Sequence, residues 1–585
     1  MPLNLDSGFN IGGWQVEPGR NAISRDGDEK HLENRLMQTL VFLAENNGQV
    51  VTRERFFDSV WQGLVVNEEA LSRAISLLRT ALDDNAHRPE FIQTIPGVGY
   101  RLIAEVTSSN KASPKSPPIA KLQGNSIAVL PFINLSDDPG NEYFSEGISE
   151  EILNALAQVK SFRVVSRTSS FAFKDKNEDL RKIGMMLGVT HVLEGSVRKA
   201  GDQIRVTAQL IKTDDGFHLW SETFDHRLED IFAIQDQIAE AVTIQLKLAL
   251  LPVTGRVKKI NPNAYSLNLQ ARYLERQSTA KGNKQALSLI RQALDLAPDY
   301  AEAWYRLASI YRSMTGKANL PPIEGSQLAV DAANQTLFHN PEYAPAHALL
   351  GWINSHFELN FAAAAQHFKR ALALAPGDTE IIMGAAPLAG NLGRLETAIA
   401  LQEYAVAHDP VNPASHTYLG LFYRCAKRFE ESIASYRLAL RLSPGIMSAQ
   451  YNIGAARMLQ GRPKDALEET LLEEEEGYRL MGLAPIYHDL GMKTESDDAM
   501  ASMIEKFSNE GAYNIAFMFA YRGENDLAFE WLERAITGHD IGITQINIEP
   551  IIANLHSDPR WLPFMHRIGM SDDQLAAIEF EVTPP

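Results

Sequence analysis

The sequence predicts a multidomain chain: an α+β domain first, an α/β domain with a mixed sheet next, and an all-α superhelix of paired helices last. Three observations predict it. The chain has 585 residues, and single cores stop growing near about 250–300 residues. Composition breaks sharply at 106–125, where Ser, Pro and Lys dominate and no apolar period persists, the mark of a flexible linker. From residue 261 onward, proline recurs at Pro298, Pro341, Pro376, Pro410 and Pro444, at intervals of 43, 35, 34 and 34 residues.

Residues 1–105 read as strands, then helices, then a hairpin. FNIGGWQV and NAISRDGDEKHL are rich in β formers and turn residues, with Asp26-Gly27 as a hairpin signal. Leu36, Leu40 and Leu43 share one helical face, and Asn47-Gly48 ends that helix. Thr52 is placed to cap a second helix carrying Phe56, Phe57, Val60 and Trp61. Asn67 suits the N-cap of a third, where Leu71, Ile75, Leu78 and Leu82 form one buried stripe. Its opposite face carries Ser72, Arg73, Ser76, Arg79 and Thr80. Short polar side chains let a helix approach closely, and arginine reaches a guanine edge or a phosphate. FIQTIPGVGYRLIA then folds as a hairpin about Pro96–Gly99, with Arg101 just past its tip. A hairpin after such a helix is the wing of a winged helix.

The order LMQTLVFLAENNGQVVTRERFFDSVW, VVNEEALSRAISLLRTALDD, FIQTIPGVGYRL resembles the OmpR/PhoB effector domain over Asn10–Ile103. It is closest to the forms without a receiver domain, as in the CadC, ToxR and HilA regulators. The resemblance implies a recognition helix in the major groove and a wing on the minor groove or backbone. The matching positions are Ser72, Arg73, Ser76 and Arg79 on the helix, and Thr94, Gly99, Tyr100 and Arg101 on the wing. Structural readings stand beside these. Arg79 is spaced to pair with Asp83 and Arg73 with Glu69, Tyr100 suits packing within the wing, and Gly97 and Gly99 suit backbone demands. Residues 1–105 hold ten Lys or Arg against fifteen Asp or Glu. Bulk electrostatics therefore favour DNA weakly, and binding is expected to depend on dimerisation or adjacent sites and on salt. Glu68 and Glu69 at the helix start suit its dipole, or a cytosine amine.

Residues 126–251 alternate strand and helix, then become a meander: SIAVLPFI, a helix over Phe144–Gln158, FRVVS, a helix, three strands, and a closing amphipathic helix in IFAIQDQIAEAVTIQLKLAL. The block resembles the TolB amino-terminal-like domain, which accompanies class III adenylate cyclases and CadC-like regulators. Asp137 and Asp138 lie where ligands bind in open α/β sheets, and Asp-Asp-Pro-Gly equally signals a solvated turn. His191 reads as structural.

Each proline after 298 ends a run such as RQALDLAP or KRALALAP, where it stops the second helix of a pair. Small residues recur where helices must approach, as at Leu350-Gly351, Leu419-Gly420 and Ile453-Gly454. This resembles the tetratricopeptide repeat, of period 34. About eight helix pairs are expected over 261–537, stacked in one superhelix. LLEEEEGYRL breaks the pattern, an insertion lies near TGKANLPPIEG, and residues 538–585 are expected to cap the last helices. In tetratricopeptide geometry the first helix of each pair lines a concave groove. Tyr305, Arg312, Trp352, Arg424 and Tyr451 are then candidate contacts for a protein, peptide or small effector, with inter-repeat packing as the alternative.

The 45% hydrophobic and 22% charged content is that of a globular protein. A net charge of −18 argues against indiscriminate nucleic-acid coating. The single cysteine, Cys425, suits a reducing compartment and reads as a buried small residue. No signal peptide and no apolar run of about 18 residues is evident, so a cytoplasmic protein off the membrane is expected. P-loop, GxGxxG, GxSxG, HExxH and CxxC patterns are missing in any usable context. The sequence therefore predicts no catalytic residues, metal or cofactor, and no control by aspartyl phosphorylation. It points to a transcriptional regulator that binds promoter DNA, alone or as a homodimer. An interaction scaffold and a small-molecule sensor acting through the central domain are the alternatives.

Overall fold

The computed structural model describes residues 8–18, 22–25, 28–32, 34–60, 68–85, 88–108, 126–157, 163–176, 178–227, 231–245, 260–316, 320–509 and 511–585. The chain divides into two compact units, Met1–Ser116 and Pro117–Pro585. The central domain and the repeats thus belong to one body rather than two.

In the first unit, β1 (Phe9–Ile11), β2 (Trp14–Glu17), β3 (Ala22–Arg25) and β4 (Asp28–His31) form an antiparallel meander. Helices α1 (Asn34–Glu45), α2 (Arg53–Val60) and α3 (Glu68–Leu82) follow, with β5 (Val51–Thr52) between the first two. The hairpin β6 (Ile92–Ile95) and β7 (Gly99–Leu102) joins β5 in a three-stranded sheet of order β5-β7-β6. A strand the sequence reading gave to the linker, β8 (Val106–Ser108), instead pairs antiparallel with β1 and completes a five-stranded sheet. Val106 is buried there, which is why the domain extends beyond residue 105. Apolar faces of all three helices meet Phe9, Trp14, Val51, Ile92 and Leu102 in one core. The Trp14 indole N–H donates to the Leu82 carbonyl (3.1 Å) and ties the sheet to the end of α3.

The second unit opens with a mixed sheet of order β11-β9-β12-β13-β14, from β9 (Ser126–Val129), β11 (Arg163–Val164), β12 (His191–Ala200), β13 (Gln203–Lys212) and β14 (His218–Arg227). The short β10 (Ile133–Asn134) also pairs with β12. Strands β11, β9 and β12 run parallel, and β12, β13 and β14 antiparallel. Alternation of side chains splits the sheet between two layers. Ile127, Val129 and Leu193 face α4 (Glu142–Ala157) and α7 (Ile231–Gln245). Ala128 and Val192 face α6 (Leu180–Leu187) and the segment after α5 (Arg167–Phe171).

Eight helix pairs follow: α8 (Pro262–Arg276) with α9 (Ala280–Leu296), α10 (Ala301–Gly316) with α11 (Pro322–His339), α12 (Ala344–His356) with α13 (Phe361–Leu374), α14 (Thr379–Asn391) with α15 (Leu395–His408), α16 (Pro413–Cys425) with α17 (Phe429–Leu442), α18 (Ala449–Leu459) with α19 (Pro463–Thr470), α20 (Glu476–Asp489) with α21 (Lys493–Phe507), and α22 (Ala512–Tyr521) with α23 (Asn525–Thr537). The LLEEEE stretch shortens α19 to eight residues without breaking the pairing. A Cβ at Gly351 would sit 2.8 Å from the Phe368 ring, and one at Gly420 2.8 Å from Tyr436, so the two helices of a pair meet at glycine. First helices pack on one another, α10 on α12 and α12 on α14, and so form the inner side of the superhelix. Two short helices, α24 (Trp561–Arg567) and α25 (Asp572–Ala576), close the chain. No helix among the described residues is long and apolar enough to cross a membrane.

Candidate nucleic-acid interface

Helix α3 buries Leu71, Ala74, Ile75, Leu78 and Leu82. Burying that stripe leaves Ser72, Arg73, Ser76 and Thr80 exposed on the far side. Leu77, 41% exposed, borders the same face beside Arg73. The expected cap Asn67 and the side chains of Glu68 and Glu69 lie outside the described residues. Arg73 is thus the guanidinium the fold leaves on the open face of this helix.

Arg79 is a correction to the sequence reading. Its guanidinium turns away from the open face and donates to the Ile92 carbonyl (2.7 Å) and the Thr94 hydroxyl (2.9 Å). The i,i+4 partner suggested by spacing, Asp83, instead takes Arg25 (2.6 Å) and Lys30 (2.9 Å). Asp84 comes nearer to Arg79, at 4.0 Å from Nε. Its carboxylate also accepts the backbone N–H groups of Glu90 (2.7 Å), Phe91 (3.3 Å) and Ile92 (2.9 Å). Arg79 and Asp84 therefore brace α3 against strand β6 and set the angle between recognition helix and wing. Asp84 escaped the sequence reading, although an aspartate just past a helix end is the residue type that binds nearby backbone N–H groups.

In the wing, Gly97 has φ +74° at the turn, a conformation L side chains rarely adopt. The neighbouring Val98 tip is 45% exposed. Gly99 and Tyr100 are further corrections. A Cβ at Gly99 would lie 2.0 Å from the Val51 carbonyl oxygen, because β5 crosses there, so glycine serves strand packing. Tyr100 is 5% exposed and meets Phe56 edge-on (6.2 Å, 75°), a core role. Arg101 lies opposite Gln93 and donates to its side-chain amide oxygen, Oε1 (2.6 Å), while keeping partial exposure. Thr94 is exposed, with its hydroxyl accepting from Arg79.

The groove residues divide similarly. Arg312 lies over the Trp352 ring (5.3 Å), and Trp352 stacks on His356 (4.6 Å, 18°). Tyr305 packs against Tyr343 (5.3 Å). Tyr305, Arg312 and Trp352 stay partly exposed on first helices. Arg424 and Tyr451 are corrections, at 2% and 5% exposure. Arg424 makes a two-pronged pair with Glu549 (2.7 Å each), and the Tyr451 backbone N–H donates to Glu473 (3.2 Å). The reason is the tail. The tail packs on the last pair, α22–α23, and its turns around 541–557 also run along the inner side, against α12 and α14. Glu549 seats there among first-helix side chains.

The central domain takes the other end of the array. Glu150 on α4 pairs with Arg276 (2.6 Å), Arg272 (3.2 Å) and Arg167 (3.0 Å). Burial opposes its ionisation, but Arg272 and Arg276 outweigh burial and hold the carboxyl well below the usual range. Burial pushes neighbouring Glu151 up to about 7, with Arg272 opposing. Farther along, the Ser169 hydroxyl donates to Asp409 and accepts the Val411 N–H (3.1 Å). His191 bonds to Thr190 (3.0 Å), as a structural histidine does. Asp138 accepts the Gly140 N–H (2.8 Å) in the expected turn.

Comparison with known proteins follows the same divisions. Residues 27–102 match the model of the C-terminal domain of transcriptional regulatory proteins. Residues 123–241 match the second domain of HilA/YgeH-like transcriptional regulators, and residues 280–316 and 383–445 match the tetratricopeptide repeat. A protein of Rhizobium meliloti (strain 1021), provisionally named adenylate cyclase 3, is 41% identical over 32% of this chain and 32% of its own length. The transcriptional regulator HilA of Salmonella paratyphi A is 26% identical over 64% of this chain and 66% of its own length. The transcriptional activator CadC of Escherichia coli is 40% identical over 16% of this chain and 19% of its own length. In each case the match spans less than two thirds of the relative. The chain therefore joins an OmpR/PhoB-type DNA-binding domain, a HilA-like second domain and tetratricopeptide repeats, with similarity to the transcriptional regulators HilA and CadC.

Proposed function

We propose that this protein is a sequence-specific transcriptional regulator of the cytoplasm, without catalytic activity. Its winged helix reads promoter DNA through Ser72, Arg73 and Ser76, with the wing residues Thr94 and Arg101 on the adjoining backbone. The observation that carries the reading is the outer face of α3, whose arginine and short polar side chains are exposed beside a braced hairpin. Gly99, Tyr100 and Arg79 serve this surface indirectly, by holding the wing against the helix. Sequencing the genomic fragments retained by the full chain at near-physiological salt tests it. Enrichment of a few promoter fragments, lost on Arg73→Ala, supports the proposal, and equal retention of all fragments or of none sinks it.

The groove reading narrows to Tyr305, Arg312 and Trp352 as contacts for a protein, peptide or small effector. The partial exposure of these residues supports it, in contrast to the buried Arg424 and Tyr451. The acidic balance of residues 1–105 makes a homodimer on DNA part of the same proposal.

A further inference from the structure

Two imidazoles meet across the pair α12–α13. His347 and His367 place their Nδ1 atoms 3.2 Å apart, with ring centroids 5.5 Å apart and planes inclined by 37°. Both residues are half-buried, so solvent reaches the pair. The Nε2 of His347 meets the Pro341 carbonyl oxygen at 3.1 Å. A carbonyl only accepts, so this Nε2 carries the proton, and Nδ1 of the neutral ring is a bare lone pair. That bond belongs to the repeat. Trp304 donates to the Pro298 carbonyl (2.9 Å), and the His416 Nε2 meets the Pro410 carbonyl (2.8 Å), each six residues past its proline. The backbone thus sets the His347 tautomer independently of its neighbour.

A lone pair held in this way is what a metal ion requires. Ligating histidines nearly always donate their other ring N–H to a carbonyl or carboxylate, which fixes the ring and its tautomer. Two imidazole nitrogens at about 2.0–2.1 Å from a tetrahedral ion stand roughly 3.3 Å apart, close to the observed 3.2 Å. His356 and His408, by contrast, turn Nδ1 to carbonyls of their own helices.

We propose that His347 and His367 bind a divalent transition-metal ion of the Zn²⁺ or Cu²⁺ class through both Nδ1 atoms. Water completes the coordination. Imidazole selects such ions over Mg²⁺ and Ca²⁺. On binding, the proton lying between the two nitrogens leaves His367 Nδ1 and is replaced, through solvent, at His367 Nε2. Both rings stay neutral, and the ion takes one lone pair from each. No group of three His, Cys, Asp or Glu side chains suited to a metal is found among the described residues, and nearby Glu342 is engaged by Arg370 (3.4 Å). Two protein ligands thus make an exchangeable site rather than a structural one.

The test uses tag-free full-length protein. Cu²⁺ is titrated by electron paramagnetic resonance and Zn²⁺ by calorimetry, with Mg²⁺ as the comparison. One equivalent of Cu²⁺ with two-nitrogen coupling is expected. Binding should weaken by roughly tenfold or more in His347→Gln and in His367→Gln, with helical circular dichroism unchanged. Should His347→Gln loosen the repeat by losing the Pro341 bond, His367→Gln, which keeps that bond, decides. Indistinguishable binding by wild type and His367→Gln, or no uptake of either ion, overturns the proposal.

Discussion

Replacing Arg79 with alanine separates a positioning role from a DNA contact. The side chain gives two charge-assisted hydrogen bonds, to the Ile92 carbonyl and the Thr94 hydroxyl. Hydrogen bonds to charged groups contribute about 1.5–3 kcal/mol each. Thr94 is exposed, so its bond counts for little, and the expected loss is about 2–3 kcal/mol. If β6 and β7 open locally at that cost, amide hydrogen exchange over residues 92–102 accelerates about 30- to 150-fold. Exchange mass spectrometry of the full chain measures this. DNA affinity should fall alongside, but the slope of its logarithm against the logarithm of salt concentration should stay unchanged, since no phosphate contact is lost. Arg73→Ala is the counterpart. Exchange should stay put, while the salt slope drops by about 0.9 if Arg73 meets a phosphate, or one base preference relaxes by about 1–3 kcal/mol if it meets guanine. A salt slope that flattens in Arg79→Ala with exchange unchanged would refute the bracing argument.

Three further outcomes are expected. Glu549→Ala strands the buried Arg424 and should destabilise the second unit by about 3–5 kcal/mol in denaturant unfolding; the double change Arg424→Met/Glu549→Leu should recover most of that, and a single change costing under about 1 kcal/mol contradicts the buried pairing. Gly99→Ala drives a methyl into the Val51 carbonyl and should abolish DNA retention through loss of the wing, visible as faster exchange in β5 and β7. Burial raises the Glu151 pKa to about 7, so the folded chain holds that proton more tightly than the unfolded one; the resulting stability is complete below the ordinary carboxylate range and is lost as pH rises through about 7. Glu151→Gln should remove that decline between about pH 4.5 and 7, and an unchanged pH profile of unfolding would count against a raised Glu151.

The helical stripes of α3 and of the repeats were legible because burial on one face imposes a period of 3.6 on neighbouring residues. The proline spacing marked where second helices stop, two residues past the last turn at Leu296, His339, Leu374, His408 and Leu442. The mixed sheet was legible from strand alternation, although the short α5 was not, since five residues carry too little pattern. Of the helix-face residues, Ser72, Arg73 and Ser76 lie open as a period argument requires. Arg79 sits one turn on and at the edge of that face, where the hairpin captured it.

By itself the sequence determined the longer elements and their order, the break between the winged helix and the remainder, and the stacking period of the array. These follow from local backbone preference and from one-sided burial, which neighbouring residues express together. Tertiary structure alone decided what covers each face. Arg424 meets Glu549 across 125 residues, Ser169 meets Asp409 across 240, and Glu150 meets Arg276 across 126. A periodic pattern states that a face is buried or open in isolation. It carries no information about which distant segment returns to lie upon that face, because that choice depends on the curvature accumulated over many repeats.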